Sequence, residues 1–135
     1  MILLIQKVLI ATITFLVLDG LWLDVIAKSL YQNNLKSFLT ISNGQLSFNW
    51  LSAIIVYIFL ITAILAFPVA KANNNCKLAI FWGFVFGLAV YGTYGFTNHA
   101  LVKNWPLKIS LIDTFWGGVL CGLTALATVY FTLNK

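Results

Sequence analysis

Apolar and polar positions in this chain fall in long blocks, not at the short periods of soluble helices and strands. Apolar stretches run from about Ile2 to Ala27, Asn49 to Phe67, Leu78 to Thr97 and Ile109 to Leu133. Each has close to the ~20 residues that a helix needs to cross a bilayer, or more. The pattern predicts an all-α, integral membrane four-helix bundle, a single four-span domain over residues 1–135 with both termini on one side.

The connections carry the polar residues. In the longest, residues 29–47, Tyr31, Leu35, Phe38 and Leu39 recur at helical spacing among Gln32, Asn33, Asn34 and Lys36. That spacing predicts a short interfacial amphipathic helix, followed by a turn at Ser42-Asn43-Gly44. Pro68 is expected to end the second span, and Ala70 to Lys77 reads as a tight polar turn. Pro106 falls near the start of the fourth span, where a missing N–H costs little. The first span is too long for the apolar core of a signal peptide and contains an aspartate.

Composition sharpens this picture. Charged residues make up 8% of the chain, against about 25% in a soluble domain, so no water-facing coat can be built. All eight basic residues are lysines at or between the spans. The net charge of +5 therefore reads as anchoring to lipid headgroups, with no nucleic-acid partner expected. Lysines fall on both sides, and the positive-inside rule favours cytoplasmic termini by a narrow margin. Cys76 and Cys121 lie at different depths and are not expected to pair.

The three acids are Asp19, Asp24 and Asp113. Two of them open the same pattern inside a span, Asp19-Gly20-Leu21-Trp22 and Asp113-Thr114-Phe115-Trp116. A carboxyl in the bilayer is expensive and needs a partner or a function. Antiparallel spans bring Asp19 and Asp113 to similar depth, with Tyr91, Tyr94, Asn98 and His99 at the same end of the third span. These residues, with Trp22 and Trp116 as walls, form the candidate pocket. Trp50, Trp82 and Trp105 read as an interfacial belt, and Asp24 as a solvated residue at a span end. Two carboxyls at one depth would share protons, because like charges in a poor solvent do not both ionise cheaply.

At about 100° per residue, Gly83, Gly87, Tyr91, Tyr94 and Asn98 share one face of the third span. Asp113, Gly117, Cys121, Thr124 and Thr128 share one face of the fourth. Gly83-x-x-x-Gly87 and Gly118-x-x-x-Gly122, with Gly117 beside them, are expected to pack helices closely. The polar residues of the second span, Ser52, Tyr57 and Thr62, share no face, which marks it as the most lipid-like span. A glycine face could also take a second copy or another membrane protein.

The chemistry is bounded too. One histidine without a second His or a nearby Cys does not build a zinc site, so no metal and no cofactor are expected. No Ser-His-Asp arrangement, phosphate loop or activated cysteine is present, and the extended glycine–aspartate motif of intramembrane aspartyl hydrolases is missing. The remaining function classes are a small transporter or proton- or cation-coupled permease, an accessory subunit of a membrane complex, and a lipid-binding or lipid-modifying protein.

Several of these segments resemble one family. Leu18-Asp19-Gly20-Leu21-Trp22-Leu23, Tyr91-Gly92-Thr93-Tyr94-Gly95-Phe96-Thr97-Asn98, Trp105-Pro106 and Ile112-Asp113-Thr114-Phe115-Trp116-Gly117 are similar to the signatures of small bacterial membrane proteins called domain-of-unknown-function family 2177. The resemblance covers essentially the whole chain. It implies four helices in a bacterial inner membrane and marks Asp19, Trp22, Tyr94, Asn98, Asp113 and Trp116, without supplying a substrate. The family commonly has an acid where this chain has Gly95.

Overall fold

The computed structural model describes residues 1–133 other than Thr40, Asn43, Gly44 and Phe48. Among the described residues, four helices are long and apolar enough to cross a membrane: α1 (Ile2–Ile26), α3 (Trp50–Val69), α4 (Cys76–Leu101) and α5 (Leu107–Thr132). A fifth, α2 (Lys28–Asn34), follows α1 after a break at Ala27, where φ is −101° and ψ −1°. In the rest of that connection the two-residue strands β1 (Ile41–Ser42) and β2 (Gln45–Leu46) pair antiparallel, Ile41 opposite Leu46. The expected turn at Ser42-Asn43-Gly44 falls partly outside the described residues. The fold class is all-α, as the blocks predict.

The ends of the helices follow local chemistry. The Asn75 side chain caps α4 by accepting from the backbone N–H of Lys77 at 2.9 Å and Leu78 at 3.2 Å. Asn73 and Asn74, at φ 46° and 60°, make the left-handed turn that precedes it, a conformation asparagine tolerates better than most residues. Pro106 caps α5, where its lack of an N–H removes a donor that has no intrahelical acceptor. Pro68 does not end α3. It sits inside a closing π-turn, Leu65–Val69. The wider turn accommodates the proline ring, which would clash with a carbonyl in an α-helix.

Packing among the helices is uneven. Half of the most apolar window of α5 is buried, against 6% for α3. The tightest contact is between α4 and α5. A Cβ added at Gly87 would lie 2.0 Å from the carbonyl oxygen of Gly117, and one at Gly83 would lie 2.6 Å from that of Cys121. One added at Gly118 would meet the Phe84 ring at 2.9 Å, and one at Gly122 would lie 3.1 Å from the Ile80 carbonyl oxygen. The glycine faces that were candidates for a partner protein therefore face each other within one chain. Close backbone approach is how helices associate where lipid removes the hydrophobic driving force.

Three of the four threonines of α5 are satisfied locally, while the Thr124 hydroxyl is buried without a hydrogen-bond partner. Thr114, Thr128 and Thr132 each donate to the carbonyl four residues earlier, at 2.6, 2.7 and 2.7 Å. The helix can therefore bury hydroxyls without needing partners from its neighbours. α1 packs along α5, with Ala11 and Phe15 fully buried there. Apart from its π-turn, which touches α4 and α5, α3 meets the rest of the molecule lightly.

Candidate functional site

The two Asp-x-x-Trp segments meet where α1 crosses α5. The indoles of Trp22 and Trp116 stack face to face, with ring centroids 4.4 Å apart and planes 7° from parallel. Such offset-stacked pairs contribute about 0.5–1.5 kcal/mol beyond the area they bury. The stack holds the two segments together, and with them the two acids. Asp19 is buried, 8% exposed, and Asp113 is half-buried within electrostatic reach of it.

Each carboxyl is held by a tyrosine. Tyr57 of α3 donates its hydroxyl to Asp19 Oδ2 at 2.9 Å. Tyr31 of α2 donates to Asp113 Oδ1 and accepts from Trp22 Nε1 at 3.1 Å. Trp116 Nε1 lies within interaction range of the Asp19 carboxyl but is buried without an acceptor in hydrogen-bond geometry. The tryptophan of each segment thus faces the acid of the other, directly in one case and through Tyr31 in the other. Burial, then the hydrogen bond to Asp113, pushes the Tyr31 phenol well above its ordinary range. Its proton stays on oxygen at neutral pH, which suits it to donating.

Among the described residues, no basic side chain pairs with either carboxyl. The groups acting on Asp19 are Tyr57 and Trp116, and those acting on Asp113 are Tyr31 and Asp19. Neutral donors stabilise a carboxylate, but they do not replace the full charge lost with water.

The structure sorts the residues predicted for the pocket. Asp19, Trp22, Asp113 and Trp116 come together. Tyr91 stands beside them within electrostatic reach of both acids, and its ring covers Gly117 so closely that an added Cβ would overlap it. Tyr94 does not join them. It is 61% exposed, with its ring edge against Trp105. His99 is exposed too, its Nδ1 3.1 Å from the Trp105 carbonyl oxygen. Asn98 is half-buried, and its carbonyl takes the N–H of Val102 at the end of α4. Gly95 lies against Ser110, whose hydroxyl donates to the Gly95 carbonyl at 2.7 Å. A Cβ there would come within 3.1 Å of Ser110 Cα, leaving little room for a side chain without a shift of α5.

The reason for this sorting lies in the ridge α4 presents. Gly83, Gly87, Tyr91 and Gly95 touch α5 in steps of four residues. A four-residue step advances about 40° around the helix, so the contact face drifts as it rises. A face held at fixed angle keeps Tyr94 with Gly83. The drifting ridge leaves Tyr94 outside and brings in Gly95.

Tyr31 and Tyr57 belong to the arrangement and carry no signal as site residues in the sequence. Tyr57 is one of three scattered polar residues in an apolar helix, with Ser52 and Thr62, and shares no face with them. Tyr31 sits in a connection, and only the break at Ala27 turns it back over Asp113.

No curated protein and no solved structure gives a significant match. A family model does match, over residues 4–130, and its description is a predicted membrane protein. With nearly the whole length covered, the chain belongs to the DUF2177 family of predicted membrane proteins.

Proposed function

We propose that the Asp19–Asp113 pair is a membrane-embedded proton or cation site, and that the protein is a small carrier coupling a cationic substrate to protons. The observation carrying this reading is that, among the described residues, two neighbouring carboxyls are held by neutral donors without a basic partner. Such a pair relieves its electrostatic burden by taking up a proton or a cation from outside the chain. The stacked indoles provide aromatic walls, which favour organic cations. An accessory subunit needs no unpaired acids, so this chemistry favours the carrier.

The carrier would lie in the bacterial cytoplasmic membrane with its termini inside. Cysteine labels at Asn34 and Asn104 would then react from one side and a label at Asn74 from the other.

Proton release on binding tests the site. The protein in nanodiscs, in weak buffer, is titrated with tetraphenylphosphonium while pH is recorded. Wild type should release protons as the probe binds, and Asp19→Asn and Asp113→Asn should each abolish the release while leaving the fold intact. Undiminished release in both variants would exclude the acids as the site.

A further inference from the structure

A groove of about 570 Å³ runs between α1 and α3, lined by Val8, Thr12, Leu16, Ala53, Tyr57 and Thr62 among others. Its volume lies in the range of small-molecule sites, about 300–1,000 Å³. The lining is apolar except for Tyr57 and scattered threonines. Tyr57 has two roles at once: its ring forms part of the groove wall, and its hydroxyl holds Asp19. Its ring edge also rests on Phe15, which is fully buried behind it. A lipid-facing groove and a buried acid are therefore separated by one aromatic side chain.

Resting on the cation-site reading above, we infer that the substrate is a single-chain cationic amphiphile, with its tail in the α1–α3 groove and its head at Asp19 once Tyr57 gives way. Charge complementarity selects this occupant. The acid behind the Tyr57 wall has no basic partner among the described residues, so a cationic head fits it and an anionic head does not. The geometry selects the tail. From Asp19 to Val8, α1 runs for roughly 16 Å at 1.5 Å per residue, and the groove lies along its Val8, Thr12 and Leu16. A second groove of about 480 Å³ lies between α3 and α4 and is bordered by Tyr91 and Tyr94. Neither of those residues donates a hydrogen bond to an acid, so that groove lacks the connection Tyr57 makes. Tyr57 is a positioning residue in this scheme. It orients Asp19 when the site is empty and yields when a head group arrives.

Alkyltrimethylammonium ions with butyl, hexyl and octyl tails test the inference, because their heads do not titrate. The readout is proton release from the protein in phosphatidylcholine nanodiscs, with the signal of Asp19→Asn subtracted. In wild type the midpoint concentration should fall about threefold to fourfold per added methylene. Ala53→Phe and Thr62→Phe fill the groove from two positions, and either should flatten that dependence. Thr62 is exposed, so the second variant keeps the test open if the first folds poorly. Ala127→Phe adds the same volume to a separate groove between α1 and α5 and should leave the dependence unchanged. Equal tail dependence in wild type and both groove variants would overturn the lateral site while the cation site stands. Absence of proton release with every ion, tetraphenylphosphonium included, would instead remove the underlying reading. A signal that appears only when the disc lipid is changed to phosphatidylethanolamine would assign the groove to a two-chain aminolipid and overturn the single-chain substrate.

Discussion

The α4–α5 pair and the α3 helix solve the same problem in opposite ways. Both are apolar helices in a bilayer, where lipid satisfies a leucine as well as a protein core does. In α4–α5 the glycines remove side chains from the contact until backbone meets backbone, and half of the α5 window disappears from the surface. In α3 large side chains such as Phe59, 72% exposed, stand outward, and grooves flank it on both sides. The first arrangement makes a rigid frame. The second leaves a helix that the Tyr57–Asp19 hydrogen bond ties to α1, which itself packs along α5. In a membrane, apolar surface does not report packing, and the small residues do.

The sharpest break of that contrast is Gly87→Leu. The clash is with the Gly117 backbone, so both helices must separate. The expected loss is at least the ~1–3 kcal/mol of ordinary overpacking, read by thermal or denaturant unfolding in mild detergent. The corresponding change on the loose helix, Ala53→Leu, should be close to neutral. If the two cost the same, the division into frame and loose helix fails.

Asp19→Leu comes next. It leaves the Tyr57 hydroxyl without its acceptor and should cost about 1–3 kcal/mol. Asp19→Asn keeps an acceptor and should cost much less in the same assay. Equal losses would show that the charge, not the hydrogen bond, holds α3.

Trp22→Leu removes the indole stack and the bond to Tyr31, with an expected cost of about 0.5–1.5 kcal/mol from the stack. Near-UV circular dichroism should lose the signal of the ordered indoles while far-UV helicity is kept.

The smallest effect concerns α2. The Tyr31 phenol is raised on folding, so the folded state holds its proton more tightly. The sign follows: its contribution is complete below the ordinary tyrosine value of about 10 and declines as pH rises above it. The melting temperature should fall between pH 9 and pH 11, and Tyr31→Phe should remove the part of that slope due to Tyr31. An unchanged slope would mean that α2 is not tied down through this hydroxyl.

The spans were readable because hydropathy over twenty residues is a bulk property, insensitive to which residue touches which. Asp19 and Asp113 were readable because an acid in lipid stands out against its surroundings. The glycine contact was readable in kind, since Gly83, Gly87, Gly118 and Gly122 carry the spacing. Its direction of drift was not, and that misplaced Tyr94, while His99 was included for its depth alone. Tyr57 was hidden because one hydroxyl makes no stripe. Tyr31 was hidden because its role depends on a single backbone break at Ala27. Bulk and spacing are written along the chain, whereas rotation and fold-back arise only when helices meet.

The order in which the acids find their tyrosines matters during synthesis. Chains emerge from the ribosome at about 5–20 residues per second, N-terminal segments first. Asp113 emerges 82 residues after Tyr31, so its partner is already made. Asp19 precedes Tyr57 by 38 residues and waits about 2–8 seconds at those rates. Trp116 and the whole α4–α5 frame come later still. For that interval the nascent α1 carries an acid without its native hydrogen bond, and α3 is the first helix able to supply one. The loosest helix of the finished protein is thus the earliest companion of its most buried charge-bearing group.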